Sequence, residues 1–341
     1  MPPVIRYCTT PAGRVAYSVA GSGPPLLCDA GWVTHLARQL ELFAFAPFLA
    51  GLAQRHTVIR YDKPGCGLSG QDGADLSFEA QLGAALAVAD AAGASRFSLF
   101  GASQGGQIAA AIAARHPDRV ADLVLYGTCA NGADLAPAEV RDSLTALVRA
   151  HWGLGSSVLA GIFIAGPSAA EVAAFTKAQR AWSSAGVAAD MLEVYYGTDV
   201  RAELPRIRAR TVVLHREADP ATRFQLGQEV TALIPGAAFV PLPGTSHLHY
   251  HGRWPEVLAA ALGFLGPAPG PGPRLTGREL QVAGLIADGL TNHAIATRLG
   301  VAPRTAEAHV ENIRRKLEVR SRAQIAAWVT EQRLRSAGTT T

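Results

Sequence analysis

Ser103 stands in the run SLFGASQGGQIAAAIAARHP, residues 98 to 117, after an apolar stretch and ahead of an alanine-rich one. Gly101-Ala102-Ser103-Gln104-Gly105 fits G-x-S-x-G, and the flanking residues predict a strand before the serine and a helix after it. A sharp strand-to-helix turn strains the serine backbone, lifts its Oγ above the sheet edge, and needs small neighbours so that adjacent backbone can pass closely. The helix that follows aims its first N–H groups at the same point. A glycine-rich turn with an incidental serine would show the same five residues; the strand and helix on either side argue for a nucleophile.

A serine hydroxyl is a poor nucleophile without a base, and the base needs an orienting acid. After a strand-turn-helix serine these partners follow in the order Ser, Asp or Glu, His, on loops beyond later strands. Asp219 closes the predicted strand TVVLHREAD, and His247 follows the last one in PLPGTSH. Asp62 precedes the serine and is better placed to organise its turn, RYDKPGCG, while His215 lies inside a strand as a core residue. His247, His249 and His251 alternate and could face one metal, but no carboxylate or cysteine stands at ligand spacing, so no metal and no other cofactor is expected. Acyl transfer also needs donors for the developing oxyanion. The N–H groups of Gln104 and of Trp32, in the loop after LLC, are the candidates, with the Trp32 ring placed to wall the pocket.

The elements around these residues alternate. RVAYSVAG, PPLLCDAG, HTVIRYD, RFSLFGAS, DLVLYGT, RTVVLHREAD and AAFVPLPG read as strands, several of them apolar throughout. LELFAFAPFLAGLAQR, SFEAQLGAALAVADAAG and QIAAAIAARHP carry helical spacing between them. This rhythm predicts an α/β fold over residues 1–265, a mostly parallel sheet with helices on both faces. From about Asp134 to Glu203 only helical patterns occur, as expected of a cap over the strand ends or of a passive crossover. Trp152, Phe163, Phe175, Trp182 and Tyr195 lie in that interval and serve either an apolar pocket or the core of the cap. GPAPGPGP, residues 266–273, suits neither a helix interior nor a ladder and reads as an extended linker.

With 341 residues, 49% hydrophobic and 17% charged, the chain has material for a large domain and a small one. Its charge is uneven: residues 274–341 hold 11 Lys and Arg against 6 Asp and Glu, the remainder 20 against 21. The excess positive charge of the small domain suits a polyanionic partner or, equally, an ordinary solvated basic face. Cys8, Cys28, Cys66 and Cys129 are scattered, so no disulfide framework is indicated. The opening Met-Pro-Pro lacks a signal-peptide pattern, and the apolar stretch VLAGIFIAGPSAA is interrupted well short of the ~20 residues of a membrane span. The expectation is a cytoplasmic protein that does not meet the membrane.

With YDKPGCGLS ahead of GASQG, residues 3 to 265 resemble the α/β-hydrolase fold; where many members carry His-Gly before the oxyanion residue, this chain has Ala30-Gly31. Residues 274–341 resemble the LuxR-type helix-turn-helix domain through LTGRE, ADGLTNHAIATRLGV and RTAEAHVENIRRKL followed by VRSR. Leu285, Ile286, Leu290, Ile295, Ala296 and Leu299 are expected to form its core. The resemblance implies double-stranded DNA as partner, with the helix near Pro303 in the major groove. Asn292, Arg304, Thr305, Arg314, Arg315, Lys316, Arg320 and Arg322 would hold phosphates, and Glu307, Ala308 and Glu311 would face bases. The two glutamates stand where relatives often carry lysine. The last helix, with Ile325 and Trp328 on one face, is expected to pair two copies as a homodimer. The combination implies a DNA-binding transcription regulator whose serine hydrolase-like domain senses a small apolar ester or lactone, by binding or slow turnover. The alternative is an active serine hydrolase of carboxylic-ester, lactone or thioester bonds with a localising or oligomerising tail.

Overall fold

The computed structural model describes residues 3–70, 73–164, 166, 168–265, 275–317, 319, 321–326, 328 and 329. The chain divides into two compact units, Met1–Gly266 and Pro267–Thr341. The segment 266–273 expected as a linker, and Arg320 expected at a phosphate, lie outside the described residues.

The first unit is built on one eight-stranded sheet in the order β1-β2-β4-β3-β5-β6-β7-β8. Its strands are β1 (Ile5–Thr10), β2 (Gly13–Ala20), β3 (Pro25–Ala30), β4 (Thr57–Tyr61), β5 (Phe97–Ala102), β6 (Val120–Tyr126), β7 (Arg210–Arg216) and β8 (Ala238–Leu242). β1 and β2 enter antiparallel, and from β4 to β8 every pairing is parallel. Such a sheet is covered on both faces, which is why its strands read as continuous apolar runs. The side chains nevertheless alternate. Leu27, Leu99, Leu123 and Val213 enter one core beneath α2 (Phe78–Ala91), α3 (Gln104–Arg115) and α8 (Phe224–Leu233). Leu26, Phe100, Val124 and Leu214 enter the other, with α1 (Phe45–Ala53) and α9 (Trp254–Leu265).

Between β6 and β7 the chain leaves the sheet for α4 (Ala138–Ala150), α5 (Trp152–Phe163), α6 (Ala169–Trp182) and α7 (Ala185–Gly197). Ser168 caps α6 in a reciprocal box with Glu171, and Ser184 caps α7. α4 packs on α5 and α7, and α5 on α6. Phe175, Trp182, Ala188, Met191 and Leu192 join these helices to the sheet-side core.

α3 is buried over nearly its whole length. Its alanines and glycines let it lie close to β5 and β3. A Cβ on Gly105 would stand 2.1 Å from the Asp29 carbonyl oxygen, and one on Gly101 2.7 Å from the Gly105 carbonyl oxygen. Both opposing groups are backbone and cannot rotate away. Gly105→Ala is therefore expected to cost about 1–3 kcal/mol or more of stability, read as a lowered thermal midpoint; an unchanged midpoint would contradict this packing.

The second unit has α10 (Gly277–Ala287), α11 (Asn292–Leu299) and α12 (Pro303–Leu317), with a further helical stretch over 322–326. Thr276 and Glu279 box the start of α10, and Gly300 ends α11 in the left-handed conformation. Ile286, Ile295 and Ala296 are buried in its core with Val282, Ala306, Val310 and Ile313, while Leu285, Leu290 and Leu299 pack partly buried against it. The face bearing Ile325 and Trp328, expected to meet a second copy, is used differently: Ile325 is fully buried in this core and Trp328 packs against it.

Candidate active site and nucleic-acid interface

Ser103 links β5 to α3 with φ 55° and ψ −127°, a positive-φ conformation that side chains disfavour. The surroundings hold it. Its N–H donates to the Tyr126 carbonyl at 2.9 Å, and its carbonyl accepts from the Thr128 hydroxyl at 2.7 Å and from the Gly106 N–H at 2.9 Å.

His247 Nδ1 donates to Asp219 Oδ2 at 2.8 Å, with both residues buried. Asp219 Oδ1 accepts from the N–H groups of Ala221 and Thr222 at 2.9 and 3.1 Å, which fixes the carboxylate plane. Burial alone would raise the Asp219 carboxyl. The charge and hydrogen bond of His247 outweigh it, with help from His215 and the Thr222 N–H, and hold the group below the ordinary carboxylate value. His247 and Ser103 line the same two cavities.

The loop that carries His247 is clamped from below by Arg216, a buried residue at the end of β7. Its guanidinium donates to the Tyr126 hydroxyl at 2.8 Å and to the carbonyls of Pro243 and His251 at 3.0 Å each, and Tyr126 donates to the Ser246 carbonyl at 3.2 Å. From above, the His247 N–H donates to the Phe163 carbonyl at 2.9 Å, and Ile164 bridges to Ser246. His251 reaches Ser246 Oγ at 3.1 Å and Glu171 at 2.9 Å. The three alternating histidines therefore diverge. His249 is enclosed by Phe45, Phe48, Phe100, Tyr126 and Tyr250. His215 is buried, bonded to the Thr222 carbonyl, with its imidazole pushed down by burial. Asp62 accepts from the Leu68 N–H at 2.8 Å and holds its own turn.

On the other side of Ser103, Trp32 is buried edge-on to Trp152 and Phe163 at 6.2 and 6.5 Å. Among the described residues the Trp32 N–H has no acceptor, and the Gln104 N–H, the first of α3, has no intrahelical one. The loop rests on a buried cluster that sequence reading missed. Asp29 pairs with the fully buried Lys63 at 3.1 Å and accepts from the Tyr61 hydroxyl at 2.6 Å, and Lys63 donates to Gln81 at 3.1 Å. The Gln104 and Gln107 side chains donate to the Met191 and Thr198 carbonyls at 3.3 Å each, so the first turn of α3 is tied to α7 of the cap. Tyr195 of α7 accepts from the Cys129 thiol at 3.8 Å, and burial first of all keeps its hydroxyl un-ionised.

Two cavities meet at Ser103 and His247. One, of about 180 Å³, lies under the cap among Leu135, Val140, Leu159, Phe163, Leu192 and Tyr195, with no formally charged residue on its wall. The other, of about 40 Å³, is bounded by Gln39, Phe175, Trp182, His249 and Tyr250. Of the cap aromatics, Tyr195 lines the larger, Phe175 and Trp182 the smaller, and Phe163 both. Trp152 lines neither and supports Trp32.

In the second unit the exposed side of α12 carries Arg304, Thr305, Glu307, Ala308, Glu311 and Arg315. Arg314 pairs with Glu311 at 3.6 Å. Lys316 is tied to the buried Glu279 at 2.6 Å, and Arg322 donates to Asn292 at 2.8 Å and to the Leu290 carbonyl. These last three expected phosphate contacts thus also brace the unit.

Residues 24–252, two thirds of the chain, match the profile described as alpha/beta hydrolase fold. The chain belongs to this family. Residues 273–329 match the profile described as bacterial regulatory proteins, luxR family. The tail is similar to the nitrate/nitrite response regulator protein NarL of Escherichia coli, 39% identical over 61 residues, 18% of this chain and 28% of that protein. The putative carbamate hydrolase RutD of Azorhizobium caulinodans is 33% identical over 109 residues, 32% of this chain and 39% of that one. Each of these curated relatives is thus spanned over less than half its length. The enol-lactonase from Burkholderia xenovorans superposes with a TM-score of 0.66 at 24% identity, over 77% of this chain and 100% of that one, a likeness of fold. The α/β-hydrolase unit is therefore joined to a LuxR-type DNA-binding domain of the kind that serves transcription regulation. No helix among the described residues is long and apolar enough to cross a membrane.

Because the folded Asp219 carboxyl is depressed, its stabilisation is complete above the unfolded value of about 3.9 and is lost as pH falls through the folded one. Asp219→Asn is expected to lower the unfolding free energy by about 1.5–3 kcal/mol at about pH 7. In urea titrations the gap to wild type should close as the pH drops below about 4; a gap constant over that range contradicts the pairing. For the tail, replacing Glu307 and Glu311 together by lysine removes two carboxylates from the exposed face of α12. Affinity for random duplex, followed by fluorescence anisotropy, should rise about tenfold or more at low salt; no rise would count against that face meeting DNA.

Proposed function

We propose that this chain is a transcription regulator whose α/β-hydrolase unit senses a small, neutral, apolar ester or lactone, binding it and turning it over slowly. The observation that carries the reading is the buried His247–Asp219 pair facing, with Ser103, an uncharged capped cavity in the same chain as a DNA-binding domain. In the chemistry proposed, Ser103 Oγ adds to the carbonyl carbon while His247 Nε2 takes its proton. Asp219 holds the imidazole and balances its positive charge. The N–H groups of Trp32 and Gln104 receive the oxyanion, each such donor being worth roughly 100-fold or more in rate. His247 then protonates the leaving group, and water repeats the sequence on the acyl-serine. The names of the similar proteins span a carbamate and an enol-lactone. They favour carbonyl chemistry without choosing a substrate.

The bonds from Gln104 and Gln107 to α7 support the sensing half. A ligand that displaces α7 also disturbs the turn carrying Ser103 and Gln104, so occupancy and cap position are coupled. The signal would pass through residues 266–273 to a tail bound to DNA as a homodimer. The completeness of the Ser-His-Asp set favours a second reading, an active cytoplasmic ester hydrolase whose tail localises or oligomerises it.

Wild type is expected to hydrolyse short-chain aryl esters slowly, and Ser103→Ala to lose at least about 1,000-fold of that rate. Both proteins should still select a specific duplex from a random pool, with affinity that responds to ligand. Turnover without any selected duplex supports the second reading, and DNA affinity indifferent to every bound ligand overturns the first.

A further inference from the structure

Lys63 and Asp29 place two opposite charges inside the first unit, with side chains 0% and 3% exposed and charged atoms 3.1 Å apart. Apolar side chains of similar volume would serve stability as well or better. The pair is therefore better explained by what lies beside it. Asp29 stands on β3 in register with Gly101 of β5, one residue before Ala30-Gly31-Trp32. A Cβ on Gly105 would stand 2.6 Å from Asp29 Oδ1, so the carboxylate lies against the first turn of α3. That turn carries the Gln104 N–H, which has no intrahelical acceptor, and the positive end of the helix dipole.

A carboxylate there suits the helix, but it repels any second negative charge that forms at the same helix end. Lys63 cancels that repulsion. It acts by charge more than by direction, since Asp29 Oδ1 receives no hydrogen bond although the ammonium is 3.1 Å away. The directed bonds lie elsewhere: Tyr61 donates to Asp29 Oδ2 at 2.6 Å, and Lys63 Nζ to Gln81 at 3.1 Å. The Lys63 backbone N–H donates to Thr34 Oγ1 at 2.9 Å, which ties the lysine to the far end of the Trp32 loop.

Resting on the functional reading above, we infer that Lys63 is a positioning residue for ester cleavage, which acts through Asp29. By neutralising that carboxylate against the first turn of α3, it leaves the N–H groups of Gln104 and Trp32 free to receive the oxyanion. The substrate carbonyl is neutral when bound and gains its negative charge only as Ser103 adds. The effect of Lys63 therefore falls on kcat rather than on substrate binding.

The test is steady-state hydrolysis of p-nitrophenyl butyrate by the full chain between about pH 7.5 and 9. Lys63→Met keeps an unbranched stem and removes the charge. It is expected to lower kcat about tenfold or more while KM changes less than about threefold. The deficit relative to wild type should deepen as pH rises, because a buried carboxyl stripped of its cation titrates upward and is charged only at higher pH. The neighbouring groups do not mimic this. Burial holds the Tyr61 hydroxyl far above its usual value and pushes the Cys28 thiol up to about 12, while Asp62, pushed up to about 6, is already ionised. Arg60 turns to Leu36 and Gln39, Gln81 of α2 is uncharged, and neither β5 nor the stretch 104–110 of α3 carries an ionisable side chain. Adding Asp29→Asn to Lys63→Met restores neutrality and should regain most of the lost kcat; bracing alone predicts the reverse, since the double variant keeps fewer contacts. Should circular dichroism show Lys63→Met unfolded, Asp29→Asn alone decides: a loss of kcat of about tenfold or more overturns the inference, and a smaller loss or a gain supports it. An unchanged kcat in Lys63→Met, a loss confined to KM, or a double variant no faster than Lys63→Met overturns the inference and leaves the serine chemistry standing. No hydrolysis by wild type removes the functional reading and the inference together.

Discussion

The backbone of Ser103 is the constraint around which the first unit is arranged. A serine with positive φ is stable only where its surroundings over-determine it. Here β5 arrives between two parallel neighbours, the N–H and carbonyl of Ser103 are both bonded, and α3 departs so close to β3 that Gly105 has no room for a side chain. The strain is held by rigid elements, and the hydroxyl is presented at the strand ends under the cap.

Around that point buried polar groups position the loops. Arg216 and Tyr126 fix the His247 loop by its carbonyls, while Lys63, Tyr61 and Asp29 brace the start of the Trp32 loop. An ion pair such as Lys63–Asp29 is a weak source of net stability, because desolvation offsets its Coulomb gain. Its geometric role is clearer, since a fully buried ammonium has few alternative places to go. The cap takes part in the same network through Phe163, Glu171, Met191 and Thr198, so it is better described as a bonded wall than as a free flap.

The sequence disclosed the parts of this design that are local. The turn at Ser103, the strand ends at Asp219 and His247, and the alternation of elements all leave short-range patterns. β1 left none that was read, because IRYCTT is a half-exposed edge strand without a clean apolar run. α5 was obscured by Gly153, Gly155 and Gly161, poor helix formers that packing against α4 and α6 overrides. α8 and α9 also went unread. The roles of Arg216, Lys63, Gln104 and Gln107 depend on which side chains meet across the fold. A charged residue closing an apolar strand, as Arg216 does in RTVVLHR, was the signal available. In the tail the exposed face of α12 was legible, whereas the bracing roles of Lys316 and Arg322 and the burial of Ile325 were not.

The central claim is that position 103 carries a serine made nucleophilic by His247 and Asp219 inside the capped cavity. Its most direct measurement is mass spectrometry of the intact chain after treatment with a small alkyl fluorophosphonate, followed by peptide mapping. The account predicts a single adduct on Ser103 that forms far more slowly when His247 is replaced by alanine. No adduct, or one on another serine while Ser103 stays unmodified, would contradict it.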